Sequence, residues 1–88
     1  MFETESQRLL RAMREAVTAG DAAALQHAAH QLKSSSANLG ALALANLCRS
    51  VDESARAGEL QQAADVVPLL EPELVRVRAA LETEASVA

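Results

Sequence analysis

The chain has 88 residues, of which half are hydrophobic, and Phe2 is the only aromatic side chain. Its formal net charge is −4 and it has no block of basic residues, which disfavours nucleic-acid binding, because phosphate backbones demand clustered lysine and arginine. No apolar run approaches the roughly 20 residues of a membrane span, and the acidic N-terminus is unlike a signal peptide. We therefore expect one cytoplasmic domain over residues 1–88, either free or part of a larger signalling chain, with no membrane contact by this segment.

The first predicted helix covers about Glu3 to Ala19, because apolar residues recur there at helical spacing. Gly20 is a good C-terminal cap, since glycine adopts the left-handed conformation readily. Asp21 suits the N-cap of the next helix, where its carboxylate accepts from an otherwise unpaired amide. A link this short predicts that the first two helices are antiparallel neighbours. The apolar side of the first helix is formed by Phe2, Leu9, Met13, Ala16 and Val17.

The second predicted helix runs from Asp21 to about Ser36. Its predicted core face is Leu25, Ala28, Ala29, Leu32, Ser36 and Leu39. Ser36 would need a partner for its hydroxyl, such as a carbonyl one turn back, and we expect Leu39 to turn inward and fill the end of the bundle. At about 100° per residue, His30 points roughly 150° from the centre of this face and should be exposed.

The third predicted helix covers about Ala41 to Ala57 and ends at Gly58. Its apolar stripe is Leu44, Leu47, Cys48, Val51 and Ala55. The lone cysteine, Cys48, is expected to be a small buried hydrophobe in a reducing compartment. Asp52 lies about 85° from the centre of the stripe, at the seam with a neighbouring helix. Two interpretations stay open for it: a solvated acid on the helix flank, or a carboxylate level with His30.

The fourth predicted helix starts near Glu59 and reaches about Glu84, with fraying expected from Ala85 to Ala88. Its stripe is Leu60, Ala63, Val67, Leu70, Leu74, Val77 and Leu81. Pro68 and Pro72 interrupt this stripe, and proline removes a helical hydrogen bond, so we expect a kink or break just before Pro68. Four amphipathic helices with short connections predict an all-α, antiparallel up-down-up-down four-helix bundle.

The surroundings of His30 suit a phosphoryl acceptor. Lys33 lies three residues on and shares its edge of the helix, and the neighbours one and two turns away are the small residues Ala23, Ser34 and Ala37. A bulky partner would therefore reach the imidazole freely. The alternative is a solvated histidine without a role, which is what a lone exposed histidine usually is.

A longer pattern around this histidine resembles the signature of histidine-containing phosphotransfer (HPt) domains over about residues 20 to 60. The matching residues are His30-x-x-Lys33-x-Ser35-Ser36-x-x-Leu39-Gly40-Ala41, followed by Leu47-Cys48. Two positions depart from the family pattern. Ser34 stands where glycine is usual, and Asp52 stands where a polar residue, commonly glutamine, lies beside the imidazole.

This resemblance implies a phosphorelay intermediate that accepts a phosphoryl group on Nε2 of His30. Lys33 would offset the phosphoryl charge, Ser34 would donate a hydrogen bond, and Asp52 would orient the imidazole. The implied partner is a response-regulator receiver domain, free or within a hybrid sensor histidine kinase, and the receiver supplies the metal and the aspartyl-phosphate. The chain has no glycine-rich phosphate loop, so we expect no cofactor and no ATP site of its own.

The partner is expected to cover the surface around His30. The helical wheel assigns that surface to Ala23, Gln26, His27, Ser34 and Ala37, with an outward-pointing Leu42 as an anchor.

Three rival hypotheses remain. His27 is a second exposed histidine, but it has no cation three or four residues on. A zinc site through His27 and His30 would lack both the i, i+4 spacing and a third ligand. A non-catalytic helical adaptor or dimerisation module of a signalling protein is the main alternative function, and it would bind a receiver without gaining an acid-labile phosphate.

Overall fold

The computed structural model describes the backbone of residues 2–87 and the side chains of residues 2–82. Over these residues the chain forms four helices: α1 (Phe2–Ala19), α2 (Ala22–Asn38), α3 (Leu42–Arg56) and α4 (Leu60–Val87). Each helix packs against the next one, and α4 also packs against α1, which closes the bundle. The predicted all-α antiparallel four-helix bundle is confirmed.

The helix ends follow the predicted caps. Gly20 and Gly58 have φ of 69° and 79°, the left-handed region that residues with a Cβ avoid. The carboxylate of Asp21 accepts from the amide of Ala24 at 3.0 Å and so caps α2. These links make α1 and α2, and α3 and α4, antiparallel neighbours. The turn between α2 and α3 contains Gly40 at φ 78° and sets these two helices, which carry His30 and Asp52, side by side.

The core is built from small and medium-sized side chains of all four helices. Its largest fully buried hydrophobic members are Leu9, Leu10, Met13, Leu25, Leu32, Leu44, Leu70, Val51 and Cys48. The predicted stripe of α4 holds through Leu74 but fails at Leu81, which is 38% exposed. The 28 residues of α4 span about 42 Å at 1.5 Å each, so its end extends past the shorter helices. None of the helices within residues 2–87 has the length and apolar character to cross a bilayer.

The C-terminal turn of α2 confirms one expectation and corrects another. The hydroxyl of buried Ser36 donates to the carbonyl of Leu32 at 2.7 Å, as predicted, and the helix continues to Asn38. Leu39 does not turn inward: it is 45% exposed, so that prediction is wrong. Its amide bonds back to the carbonyls of Ser35 and Ser36 while the chain leaves the helix, and its side chain lies on the outside of the turn.

The chain does not break before Pro68, because α4 is one continuous helix through both prolines. Pro68 and Pro72 are exposed, so the missing amides lie on the side of α4 where water can bond the freed carbonyls. The opposite side of the same turns buries Val67, Leu70 and Leu74, and this packing holds the helix together across the interruption. Of the residues expected to fray, 85–87 belong to α4 and Ala88 lies outside the described residues.

Candidate functional site

His30 lies in the middle of α2 on the face that points away from the core. Its side chain is 57% exposed, whereas its neighbours Ala29 and Leu32 are fully buried. The exposure expected from the helical wheel is therefore present.

Asp52 is buried, with only 3% of its side chain exposed, and its Oδ2 lies 3.4 Å from Nδ1 of His30. The interpretation of Asp52 as a solvated acid is therefore wrong. The reason is that α3 packs along α2, so the flank of α3 that carries Asp52 is covered by the neighbouring helix. The contact spans 22 residues of sequence and joins the two helices at the level of the imidazole.

Two further cations reach the same carboxylate. Lys33 Nζ lies 3.7 Å from Oδ2, and Arg56 Nη2 lies 3.5 Å from Oδ1. A buried carboxylate requires such compensation, because removing an ion from water is costly. Arg56 was missed from the sequence, although its i, i+4 spacing from Asp52 is a known signal for a helical ion pair. His30, Lys33 and Arg56 thus surround a single buried acid, and we call these four residues the Asp52 cluster.

An open depression borders His30 on the side of the α2 N-terminus, and its lining consists of Ala23, Gln26, His27, His30 and Arg56. With its amide oxygen turned toward Arg56, Gln26 accepts from Nε at 3.1 Å and from Nη2 at 3.3 Å. The orientation of that amide is assigned from these bonds. The small side chain of Ala23 leaves the approach to the imidazole open from this side.

A second depression borders the site toward the α2–α3 turn. Its lining is Lys33, Ser34, Ala37, Asn38, Leu42, Ala45, Asn46 and Arg49. Leu42 is 67% exposed, as expected for an outward-pointing residue. Ser34 is exposed here, one turn after His30. The residues proposed for docking therefore fall into two groups, one on each side of the imidazole.

His27 differs from His30 in its surroundings. It is exposed, and its Nε2 lies 3.3 Å from Nε2 of Gln31, with no carboxylate contact like that of His30. Among the described side chains, no group of three or more histidine, cysteine, aspartate or glutamate residues is placed to hold a metal ion.

Cys48 lies on the same helix as Asp52 but faces the core, where it is fully buried. Burial raises the pKa of its thiol to about 12, because a thiolate would be poorly solvated there. The thiol is therefore neutral and acts as a small hydrophobe, as expected.

Comparison with known proteins gives two matches. A family model described as "Hpt domain" matches residues 1–83. The crystal structure of histidine-containing phosphotransfer protein B (HptB) from Pseudomonas aeruginosa PAO1 is 41% identical to this chain and superimposes with a TM-score of 0.93. That match covers 99% of this chain and 76% of the other. No curated protein matches the chain.

Proposed function

The chain belongs to the Hpt domain family, and we propose that it carries a phosphoryl group on His30 between the aspartates of receiver domains. Proteins of this family are phosphotransfer intermediates in phosphorelays. The observation that carries the assignment to His30 is its pairing with Asp52: an imidazole that is 57% exposed, 3.4 Å from a carboxylate that is 3% exposed. Among the described residues, His27 has no such partner.

Nε2 of His30 is the nucleophile in this proposal. Nδ1 faces Oδ2 of Asp52 and donates its hydrogen to the carboxylate, which fixes the tautomer with a lone pair on Nε2. That lone pair attacks the phosphorus of an aspartyl-phosphate on the receiver. The phosphorus–oxygen bond to the aspartate breaks, and the aspartate leaves as a carboxylate. Transfer to the next receiver is the reverse reaction.

The cations of the Asp52 cluster offset the charge of the arriving group. Lys33 Nζ lies 3.7 Å from the same oxygen that Nδ1 faces, so its ammonium is close to the imidazole. An ammonium is a compact charge well suited to phosphoryl oxygens. Arg56 lines the depression beside His30 and is 65% exposed, so it can approach from the other side. Ser34 adds a hydroxyl one turn away, which would donate to a phosphoryl oxygen.

The partner is a receiver domain, either of a separate response regulator or within a hybrid sensor histidine kinase. It would cover the two depressions that flank His30. Ala23, Gln26 and His27 would contact it on one side, and Ala37 and Leu42 on the other. The phosphoryl group and its activating metal come from the receiver, so this chain acts as a carrier.

The test is to mix the chain with a phosphorylated receiver domain and to measure phosphate on each variant by intact mass. Wild type and His27→Gln should gain an acid-labile phosphate, and His30→Gln should gain none. His27 is exposed and has no contact with Asp52, so His27→Gln should change the free energy of unfolding by no more than about 0.5 kcal/mol. His30→Gln removes one contact of the buried Asp52, which keeps Lys33 and Arg56, so the free energy of unfolding should fall by about 1 kcal/mol. Circular dichroism melts of the two variants check this.

Two other outcomes would contradict the proposal. Label on His30→Gln but not on His27→Gln would move the acceptor to His27. A wild-type chain that binds the phosphorylated receiver and gains no phosphate would be an adaptor instead of a carrier.

A further inference from the structure

We propose that the charge of Asp52 keeps a proton on Nδ1 of phosphorylated His30, which makes the phosphoryl group short-lived and quickly passed on instead of stored. This inference rests on the proposed function, since it concerns the phosphorylated state of His30. It adds a property that the assignment of the acceptor does not contain. A neutral amide at position 52 would orient the ring equally well but would not supply a charge.

The geometry brings a full negative charge to the ring nitrogen that does not carry phosphate. Oδ2 lies 3.4 Å from Nδ1, and the aspartate side chain is only 3% exposed. Water therefore screens this charge poorly on the protein side, and the interaction of a carboxylate with a protonated ring is stronger than it would be in solvent. The carboxylate thus favours the protonated form of Nδ1.

The proton on Nδ1 controls how well the ring serves as a leaving group. When Nε2 bonds to phosphorus and Nδ1 keeps its hydrogen, the ring carries a positive charge. On release, the electron pair of the phosphorus–nitrogen bond returns to the ring, which leaves as neutral imidazole while the phosphoryl group passes to a carboxylate or to water. Without the Nδ1 proton, the ring would have to leave as an imidazolate anion, and the bond would break slowly.

Other charged groups face this site, and they oppose Asp52 only in part. Lys33 and His27 lie on α2, and Arg56 lies on α3. Lys33 and Arg56 lie 3.7 Å and 3.5 Å from the carboxylate oxygens of Asp52. Arg56 is also 65% exposed, so solvent weakens its interaction with Asp52. A bound phosphoryl group also gives them a second anion to pair with.

The two ion pairs that join α1 to α4 do not involve the Asp52 cluster. Arg14 of α1 pairs with Glu71 of α4, and Arg78 of α4 pairs with Glu3 of α1. The ion pairs of Asp52 run to residues of α2 and α3. Among the described residues, Asp52 is therefore the acid in contact with Nδ1.

The experiment is to phosphorylate the full chain with phosphoramidate, which needs no docking partner, and to follow loss of the phosphate between pH 6 and 9. In wild type the rate of loss should depend less on pH than in a variant with a neutral side chain at position 52, because the carboxylate lies against Nδ1. In Asp52→Asn the amide keeps the shape of the side chain without its charge. Its rate of loss should fall more steeply with rising pH than the wild-type rate, because no carboxylate then favours the proton on the ring.

Two variants separate charge from structure. Asp52→Glu retains the carboxylate and should restore the wild-type pH profile. Glu53→Gln removes one negative charge from an exposed neighbour and should behave as wild type.

Parallel pH profiles for wild type and Asp52→Asn would overturn the inference, even if the variant's phosphate lived longer at every pH, since freed Lys33 and Arg56 could cause that. Failure of His30 to take up phosphate from phosphoramidate in wild type would instead contradict the proposed function.

Discussion

Oppositely charged side chains bridge two of the helix–helix interfaces, or seams, of this bundle. The side chains at the two seams differ in how deeply they are buried. Between α1 and α4, Arg14 pairs with Glu71, and Arg78 pairs with Glu3; all four side chains are between 39% and 59% exposed. Between α2 and α3, the acid is Asp52, which is 3% exposed and contacts three basic side chains. The same class of interaction thus lies in water at one seam and inside the protein at the other.

The exposed and the buried ion pairs contribute differently to the stability of the bundle and to the chemistry of His30. Exposed ion pairs typically contribute about 0–1 kcal/mol, so the α1–α4 seam gains little from its charges. A buried charge costs several kcal/mol in lost hydration, and its partners rarely return more than that. A well-packed apolar residue at position 52 would join α2 to α3 as well or better. The buried carboxylate next to an exposed imidazole is therefore better explained by what it does to His30.

The largest expected effect comes from blocking the surface beside the Asp52 cluster. Ala23 and Ala37 are exposed and line the two depressions that flank His30. Arginine is a good helix former, so Ala23→Arg and Ala37→Arg should retain the fold. Each should nearly abolish transfer from a phosphorylated receiver, because the long side chain obstructs the approach to the imidazole. The measurement is the initial rate of phosphate gain at a fixed receiver concentration.

Two controls show whether the loss is due to docking. Phosphoramidate should still phosphorylate both variants, since a small donor needs no docking surface. Ala80→Arg adds the same side chain at an exposed position of α4 and should transfer at the wild-type rate. If receiver-dependent transfer is unchanged in Ala23→Arg and Ala37→Arg, the receiver approaches from another side.

The α2–α3 seam could be predicted only in part from the sequence. Helical periodicity located the core face and the exposed His30, and local rules located the Asp21 cap and the bond from Ser36 to Leu32. These features depend on residues within one or two turns of each other. Asp52 was correctly placed at the seam, but its burial was not determined, because a flank residue is covered or solvated according to how closely the next helix packs.

The predictions that failed concern residues whose surroundings depend on the path of the chain or on the packing of distant residues. Leu39 is apolar and follows a buried stripe, yet the path of the turn after Asn38 sets its direction, and periodicity no longer applies there. A proline breaks most isolated helices. At Pro68, however, buried neighbours within about one turn hold α4 together. Arg56 was overlooked because an arginine at the end of a helix is usually solvated. Its role follows only once Asp52 is known to be buried.

A smaller effect is expected from Lys33→Ala, which removes one cation of the cluster and keeps the acceptor. Lys33 is 31% exposed and 3.7 Å from Asp52. Transfer should slow by about tenfold, the order expected for loss of one charge-assisted contact. The phosphorylated state should also decay faster, since its negative charge is less well compensated. Stopped-flow transfer and a decay time course give the two rates. Wild-type values for both would mean that Lys33 is an ordinary solvated lysine.

The smallest effect is expected at the seam that serves stability alone. In Glu71→Gln, Arg14 remains half-exposed and is hydrated by solvent, so the free energy of unfolding should fall by no more than about 1 kcal/mol. A double-mutant cycle of Glu71→Gln and Arg14→Gln in urea isolates the coupling between the two side chains. That coupling should shrink further in high salt, because screening acts on exposed charges. Transfer rates should match wild type in all three variants, since the pair lies on α1 and α4, away from His30.

A coupling well above 1 kcal/mol would mean that the ion pairs of the α1–α4 seam contribute substantially to stability. Slowed transfer would mean that they affect the chemistry of His30. Either result would remove the contrast between this seam and the buried Asp52.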